Sequence, residues 1–213
     1  MIDFALWKIH PAIVFAYIKE GPDAAEKQIK GSYAKGTVDA LIFRNSFTEA
    51  EASRLLEKEL KKLWDPELNR YVTAIITDNT EIVSSFISDE NVSKDQVLLS
   101  ASAYNSSDIA ALMLANETDV NCKDTEGWRP LLCACTYNNY EMAMMLVNKG
   151  ADVDIQSKEG TTPLMLAVAN QNEELVRFFI DKGANKKARM SDRSTVVDIA
   201  ESTGNAKILQ LVS

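Results

Sequence analysis

Apolar and polar positions in the C-terminal part of the chain alternate in short blocks that return at a constant spacing of about 33 residues, a period typical of stacked helical repeats. Gly127 falls on Gly160, Pro130 on Pro163, Leu131 on Leu164 and Ala134 on Ala167, and Gly150, Ala151 and Asp152 fall on Gly183, Ala184 and Asn185. A repeat of this kind means a stack of small units, so it is weighed before any single element. Each unit predicts a polar loop holding a Gly, a short helix opened by Pro, a polar break, and a second helix. Pro130 and Pro163 suit a first helical turn, where the missing N–H costs nothing, and Gly150 and Gly183 suit a left-handed helix end. Ala134, Ala167 and Ala169 allow close helix approach, while Met142, Met145 and Leu146, then Leu175, Val176 and Phe179, give the second helix of each unit its apolar face. One such pair cannot cover its own apolar face, so neighbours must stack.

Weaker copies flank the two clear ones. Residues 97–101 with 119–121 lie upstream, and residues 195–200 with Gly204 and Asn205 lie downstream. Further back, residues 74–83 resemble residues 168–176, although the step to the next unit shortens from 33 to 27. The expected repeats are therefore a degenerate one at 66–92, then 93–123, 124–156 and 157–189, and a shortened capping unit at 190–213.

Residues 1–65 show no such period and read as a helical region. Thr48 and Glu51 form a capping-box signal before Leu55, Leu56, Leu60, Leu63 and Trp64, and Glu57 with Lys61 adds an i,i+4 pair, so a helix is expected over residues 49–64. This block is expected to cap the stack, with a separate binding module as the alternative; Phe4, Trp7, Phe15 and Tyr17 would then be its contacts.

The repeated units resemble the ankyrin repeat, whose pattern is a Gly, then T-P-L-H-x-A, a second helix, and G-A-D-V-N. The best copy runs from Gly160 through Thr162, Pro163, Leu164, Met165 and Ala167, to Gly183, Ala184 and Asn185. The copy before it runs from Gly127 through Pro130, Leu131 and Ala134, to Gly150, Ala151, Asp152, Val153 and Asp154. The resemblance implies an all-α fold, an ankyrin-repeat solenoid of helix-turn-helix units and hairpin loops, preceded by the helical N-terminal region. One departure is consistent: the histidine of the motif is replaced by Leu99, Leu132, Met165 and Asp198. The usual histidine hydrogen bonds between repeats are therefore expected to be missing, with apolar packing in their place.

Composition narrows the function. At 46% hydrophobic and 25% charged residues the chain is of ordinary globular make-up, which excludes disordered and disulfide-scaffold classes. Its 23 cations against 31 carboxylates give a net charge of −8, a field that opposes nucleic acid. A single histidine, His10, removes most triads and histidine metal sites. Cys122, Cys133 and Cys135 form no CxxC pair, so free buried thiols in a reducing compartment are expected, and the chain is read as cytoplasmic, with no cofactor and no metal. The longest early apolar run, residues 11–18, is too short to span a bilayer. The run from Gly31 to Thr37 fails as a phosphate loop because Lys35 precedes the second Gly. A basic cluster of Lys182, Lys186, Lys187, Arg189 and Arg193 stands out in an acidic chain and reads first as a solvated loop, second as a patch for an acidic partner.

The family resemblance further implies a concave binding surface made by hairpin positions and the ends of the inner helices. Carried over position by position, its residues are Glu126, Trp128, Lys158 and Glu159 at the hairpins, Tyr104 and Tyr137 at inner-helix ends, and Arg189 at a repeat junction. Trp128 and Tyr137 are the expected anchors, since interface energy concentrates in aromatics and Arg; packing within the chain is the alternative for both. The expected function is a non-catalytic module, monomeric when free, that binds a specific protein partner as an inhibitor, immunity protein or adaptor. The runner-up is an enzyme or regulatory domain in residues 1–65, with the repeats as its targeting arm.

Overall fold

The computed structural model describes residues 66–90, 92–125 and 127–213. The helical block expected over residues 1–65, with its capped helix at 49–64, lies outside the described residues. Every named element among those described is a helix. In chain order these are α1 (Pro66–Ile76), α2 (Thr80–Phe86), α3 (Lys94–Tyr104), α4 (Ser107–Ala115), α5 (Pro130–Thr136), α6 (Tyr140–Asn148), α7 (Pro163–Ala169), α8 (Glu173–Asp181), α9 (Val196–Thr203) and α10 (Ala206–Val212). Two compact units divide the chain between Leu112 and Met113.

In the first unit α1 packs on both α2 and α3. The rings of Tyr71 and Phe86 meet at 4.0 Å between centroids, tilted by 37°, and Ile75 and Val83 are wholly buried beside them. This is a contact of α1 with α2 that removes two aromatic faces from water. Polar ends are then satisfied across the turn: the Asp78 carboxylate accepts the backbone N–H of Asp108 at 3.1 Å and of Ile109 at 2.9 Å, and the buried Ser106 hydroxyl donates to the carbonyl of Ile75. Asp78 thus serves as a cap for orphan donors of α4 that its own helix does not supply.

The second unit is a stack of helix pairs. α5 pairs with α6, α7 with α8 and α9 with α10, while the inner helices α5, α7 and α9 pack in sequence and α8 packs on α10. Pro130 and Pro163 occupy the first turns of α5 and α7, as their spacing predicts. Ala134, Ala167 and Ala200 hold one register position on the three inner helices and are wholly buried, which lets backbones approach. Leu175, Val176 and Phe179 form the buried stripe of α8.

The tight break inside each helix pair has a fixed backbone solution. Asp78, Asn105, Asn138, Gln171 and Gly204 all take positive φ, at 53°, 62°, 58°, 55° and 69°. The last four keep the constant spacing of the repeat, and only the step from Asp78 to Asn105 falls short of it. Asn and Asp tolerate the left-handed region better than most side chains because their short polar groups bond locally.

Between repeats of the second unit, the polar links expected to be lost with the motif histidine are present on other residues. Leu132 and Met165 are buried as apolar substitutes, but Asn121 donates from Nδ2 to Gly150 O at 3.2 Å and accepts from Asp152 N at 3.0 Å, while Asp154 accepts from Asn185 N at 2.7 Å. Asn170 Nδ2 reaches Cys135 O, and Asn172 Nδ2 reaches Asn138 Oδ1, both at 2.7 Å. Apolar packing is therefore not the sole substitute: a short amide or carboxylate at the repeat edge can span to the next backbone, which a buried Leu or Met cannot.

Candidate functional site

Three hairpin loops recur in the second unit with the same two backbone bonds. Asp124 N donates to Trp128 O and Gly127 N to Asp124 O, Ser157 N to Thr161 O and Gly160 N to Ser157 O, and Met190 N to Ser194 O and Arg193 N to Met190 O, all at 2.9 to 3.0 Å. Each loop needs one residue of positive φ, supplied by Gly127 at 86°, Gly160 at 83° and Arg193 at 72°. The loops also touch. Lys158 Nζ donates to Thr125 O at 3.4 Å, and Ser191 N to Glu159 O at 2.8 Å. Gly160 lies so close to the third loop that a Cβ there would stand 2.8 Å from Arg189 O and 2.9 Å from Met190 Cα. The three tips thus form one continuous edge of the second unit.

The expected contact residues fall on this edge unevenly. Lys158, Glu159 and Arg189 are exposed on it. Glu159 accepts from the Ser157 hydroxyl at 2.8 Å, and Arg189 Nη1 donates to Arg193 O at 3.2 Å, so both charges are held in place by their own loops. Trp128 is half-buried rather than fully exposed, and its backbone N–H is fixed on the Asp124 carboxylate at 2.8 Å. Tyr137, also half-buried, directly follows α5 as its C-cap. Tyr104, half-buried, ends α3 in the first unit. Glu126 lies outside the described residues.

Two further residues shape this edge: Asp192, which the repeat places at the third hairpin, and Arg129, whose part the sequence does not reveal. Arg129 donates from Nη1 to the carbonyl of Asn121, tying the first hairpin to the loop that precedes it. Asp192 sits at the third tip with its carboxyl held below the usual range, chiefly by the backbone N–H of Ser194 and then by the Ser194 side chain. The Asp-x-Ser spacing at the tip is the sequence signal for that turn. Exposed carboxylates, ammonium and guanidinium groups, amides and hydroxyls beside half-buried aromatics suit polar recognition of another macromolecule.

Other chemistry is sparse. Cys122, Cys133 and Cys135 are free and buried, and burial pushes the Cys135 thiol far above its usual range, which keeps it from acting as a thiolate. Among the described residues no cluster of three or more His, Cys, Asp and Glu is placed to hold a metal ion, and no helix is long and apolar enough to cross a membrane.

No curated protein matches the chain. The model of the ankyrin-repeat family matches in three overlapping copies, over residues 71–157, 98–190 and 143–212. That match spans the same helix pairs and hairpins whose geometry recurs at a constant spacing, and with it the chain belongs to the ankyrin-repeat family.

Proposed function

We propose that this chain is a non-catalytic binding module that holds one specific protein partner on its ankyrin repeats, divided at 66–92, 93–123, 124–156, 157–189 and 190–213, with the free chain monomeric and cytoplasmic. Ankyrin repeats are in general protein–protein interaction modules and typically lack catalysis. The observation that carries the reading is the edge of the second unit, where three identically bonded hairpins are linked tip to tip and present Lys158, Glu159 and Arg189 outward. An edge so constrained loses little conformational freedom on association, which favours affinity without a large apolar area. Trp128 and Tyr137 serve as anchors beside the charged residues, their half-burial fixing each ring before the partner arrives. The biological act that fits best is occlusion of the partner, as an inhibitor, immunity protein or adaptor would achieve.

The test is affinity capture from native cell extract by the wild-type chain and by a Trp128→Ala/Tyr137→Ala variant with matched helical circular dichroism. One protein retained by the wild type and released at least about tenfold more readily by the variant is the expected result, since interface aromatics at hot spots contribute about 2 kcal/mol or more each. Equal retention by both would move the contact away from these residues. Retention of nothing by either would sink the binding reading.

A further inference from the structure

Charge along this chain is segregated. Residues 182–193 carry Lys182, Lys186, Lys187, Arg189 and Arg193 against the single carboxylate of Asp192, a net +4 that leaves −12 on the remainder of a chain of −8. Two of the five cations have structural tasks. Lys186 Nζ donates to the carbonyls of Leu211 at 3.2 Å and Ser213 at 3.1 Å, satisfying acceptors at the end of α10. Lys182 follows α8 as its C-cap and stands 5.5 Å from the centre of the Phe178 ring, where a cation complements the helix end. Among the described residues no bond to a carbonyl holds Lys187 or Arg193 by its charged group, and Arg189 spends one N–H on the carbonyl of Arg193 within its own hairpin. All three are exposed, and among the described residues none closes an ion pair with a carboxylate. Arg189 is near enough to Asp198 only to be the last of the influences that lower its carboxyl.

Two of these three also break the pattern of their own repeat. Lys187 stands one repeat period after Asp154 and two after Asn121, whose oxygens accept the N–H bonds between repeats, yet an ammonium accepts nothing. Arg193 stands where the preceding hairpins have Gly160 and Gly127, and takes φ 72°, a conformation that side chains disfavour. Glycine would close the same turn without strain, so the backbone accommodates an unfavourable residue whose guanidinium closes no ion pair among the described residues. Strain of that kind, beside two further cations that close no ion pair among the described residues, leaves three positive charges free to meet an anionic ligand. Arg189 Nη1 donates to Arg193 O, which keeps the two arginines on one hairpin.

We propose that Lys187, Arg189 and Arg193 form a docking site for an Asp/Glu-rich segment of a protein partner. The proposal rests on the protein-binding reading above and names the chemistry of one segment of what is bound. Two guanidinium forks match the geometry of carboxylates, and the lysine adds a third charge with freer direction. A short acidic segment stays within the patch. A nucleic-acid strand would continue past it over surface that carries the remaining −12, and its own regular charge would be repelled there.

The experiment is a fluorescence-anisotropy titration of the full chain against a short labelled oligoglutamate peptide, at about 20 mM and about 150 mM salt. The wild type binds saturably and more weakly at the higher salt. Arg193→Gly weakens binding about three- to fivefold while its melting temperature holds or rises, an outcome a merely structural arginine would not give. Lys187→Glu/Arg189→Glu abolishes binding, and Trp128→Ala/Tyr137→Ala leaves it intact. Three results would overturn the site: no peptide bound by the wild type at low salt, unchanged affinity in Arg193→Gly, or tighter binding of an oligothymidylate of equal length. The peptide titration reads the patch directly, so its failure is separate from failure to retain a protein in the capture experiment.

Discussion

Gly150 and Gly160 share a positive φ, at 95° and 83°, but differ in what surrounds them. A Cβ on Gly150 meets nothing within 4 Å, whereas one on Gly160 meets Arg189 O at 2.8 Å and Met190 Cα at 2.9 Å, both backbone atoms that cannot swing aside. Gly150→Ala therefore carries only the left-handed penalty, about 1 kcal/mol, and Gly160→Ala costs more than about 2 kcal/mol because a neighbouring hairpin must also shift. Urea denaturation of the two variants separates these cases by midpoint. Equal losses would show that the hairpins are free to move apart. The sequence marks both glycines by their spacing but does not distinguish them, since the obstacle to Gly160 is backbone of the next hairpin along the stack. Trp128 and Tyr137 show the same limit. Repeat position marks both as contact candidates and leaves packing within the chain open, whereas their half-burial is set by neighbours that only the folded hairpin and helix end bring together.

At the level of elements, α9 begins with a complete capping box: the Thr195 hydroxyl accepts from Asp198 N at 3.4 Å, and Asp198 Oδ2 accepts from Thr195 N at 2.7 Å and from the Thr195 hydroxyl at 2.6 Å. The Thr195 hydroxyl, then its N–H, hold the Asp198 carboxyl below the usual carboxylate range. A group whose pKa is lower folded than unfolded stabilises the fold fully above its unfolded pKa, and the contribution is lost as pH falls through the folded one. Thr195→Ala is expected to cost about 1 kcal/mol at neutral pH. Thermal melts should show that cost shrinking below about pH 4, as Asp198 protonates in the wild type too. A cost unchanged down to about pH 2 would mean that the carboxylate takes no part in the cap. Helix starts and ends were the most legible elements, because Pro130, Pro163, Gly150 and Gly183 each have one conformational use at their position. Asp198 was not legible. Aligned with the repeat motif it reads as a lost histidine, whereas its bonds make it the N3 partner of Thr195. The links between repeats were hidden for a related reason: Asn121, Asp154, Asn170 and Asn172 look like ordinary polar loop residues until the next repeat is set beside them.

In the second unit as a whole, each helix pair is stabilised by its neighbours, so the place of a defect in the stack governs how far it spreads. α7 packs on α5, α8 and α9, and α8 packs on α10; Phe179, wholly buried on α8, therefore supports contacts on several sides. Phe179→Ala removes a large apolar side chain and leaves a cavity, a loss of about 3 to 5 kcal/mol against a total stability of about 5 to 15 kcal/mol for ordinary domains. Val212, nearly as buried, sits on α10, whose partners are α9 and α8. Its truncation to Ala removes a smaller side chain from a helix that packs on α9 and α8, so the expected response is fraying rather than collapse. Hydrogen exchange followed by mass spectrometry distinguishes the two. Phe179→Ala should accelerate exchange together across α7, α8, α9 and α10, because losing the middle pair strips the last pair of the surface it stacks on. Val212→Ala should accelerate exchange in α10 and the adjoining part of α9 while α7 and α8 keep their protection. If Phe179→Ala affects only α8, each helix pair stands alone and nearest-neighbour stacking does not set the stability of this unit.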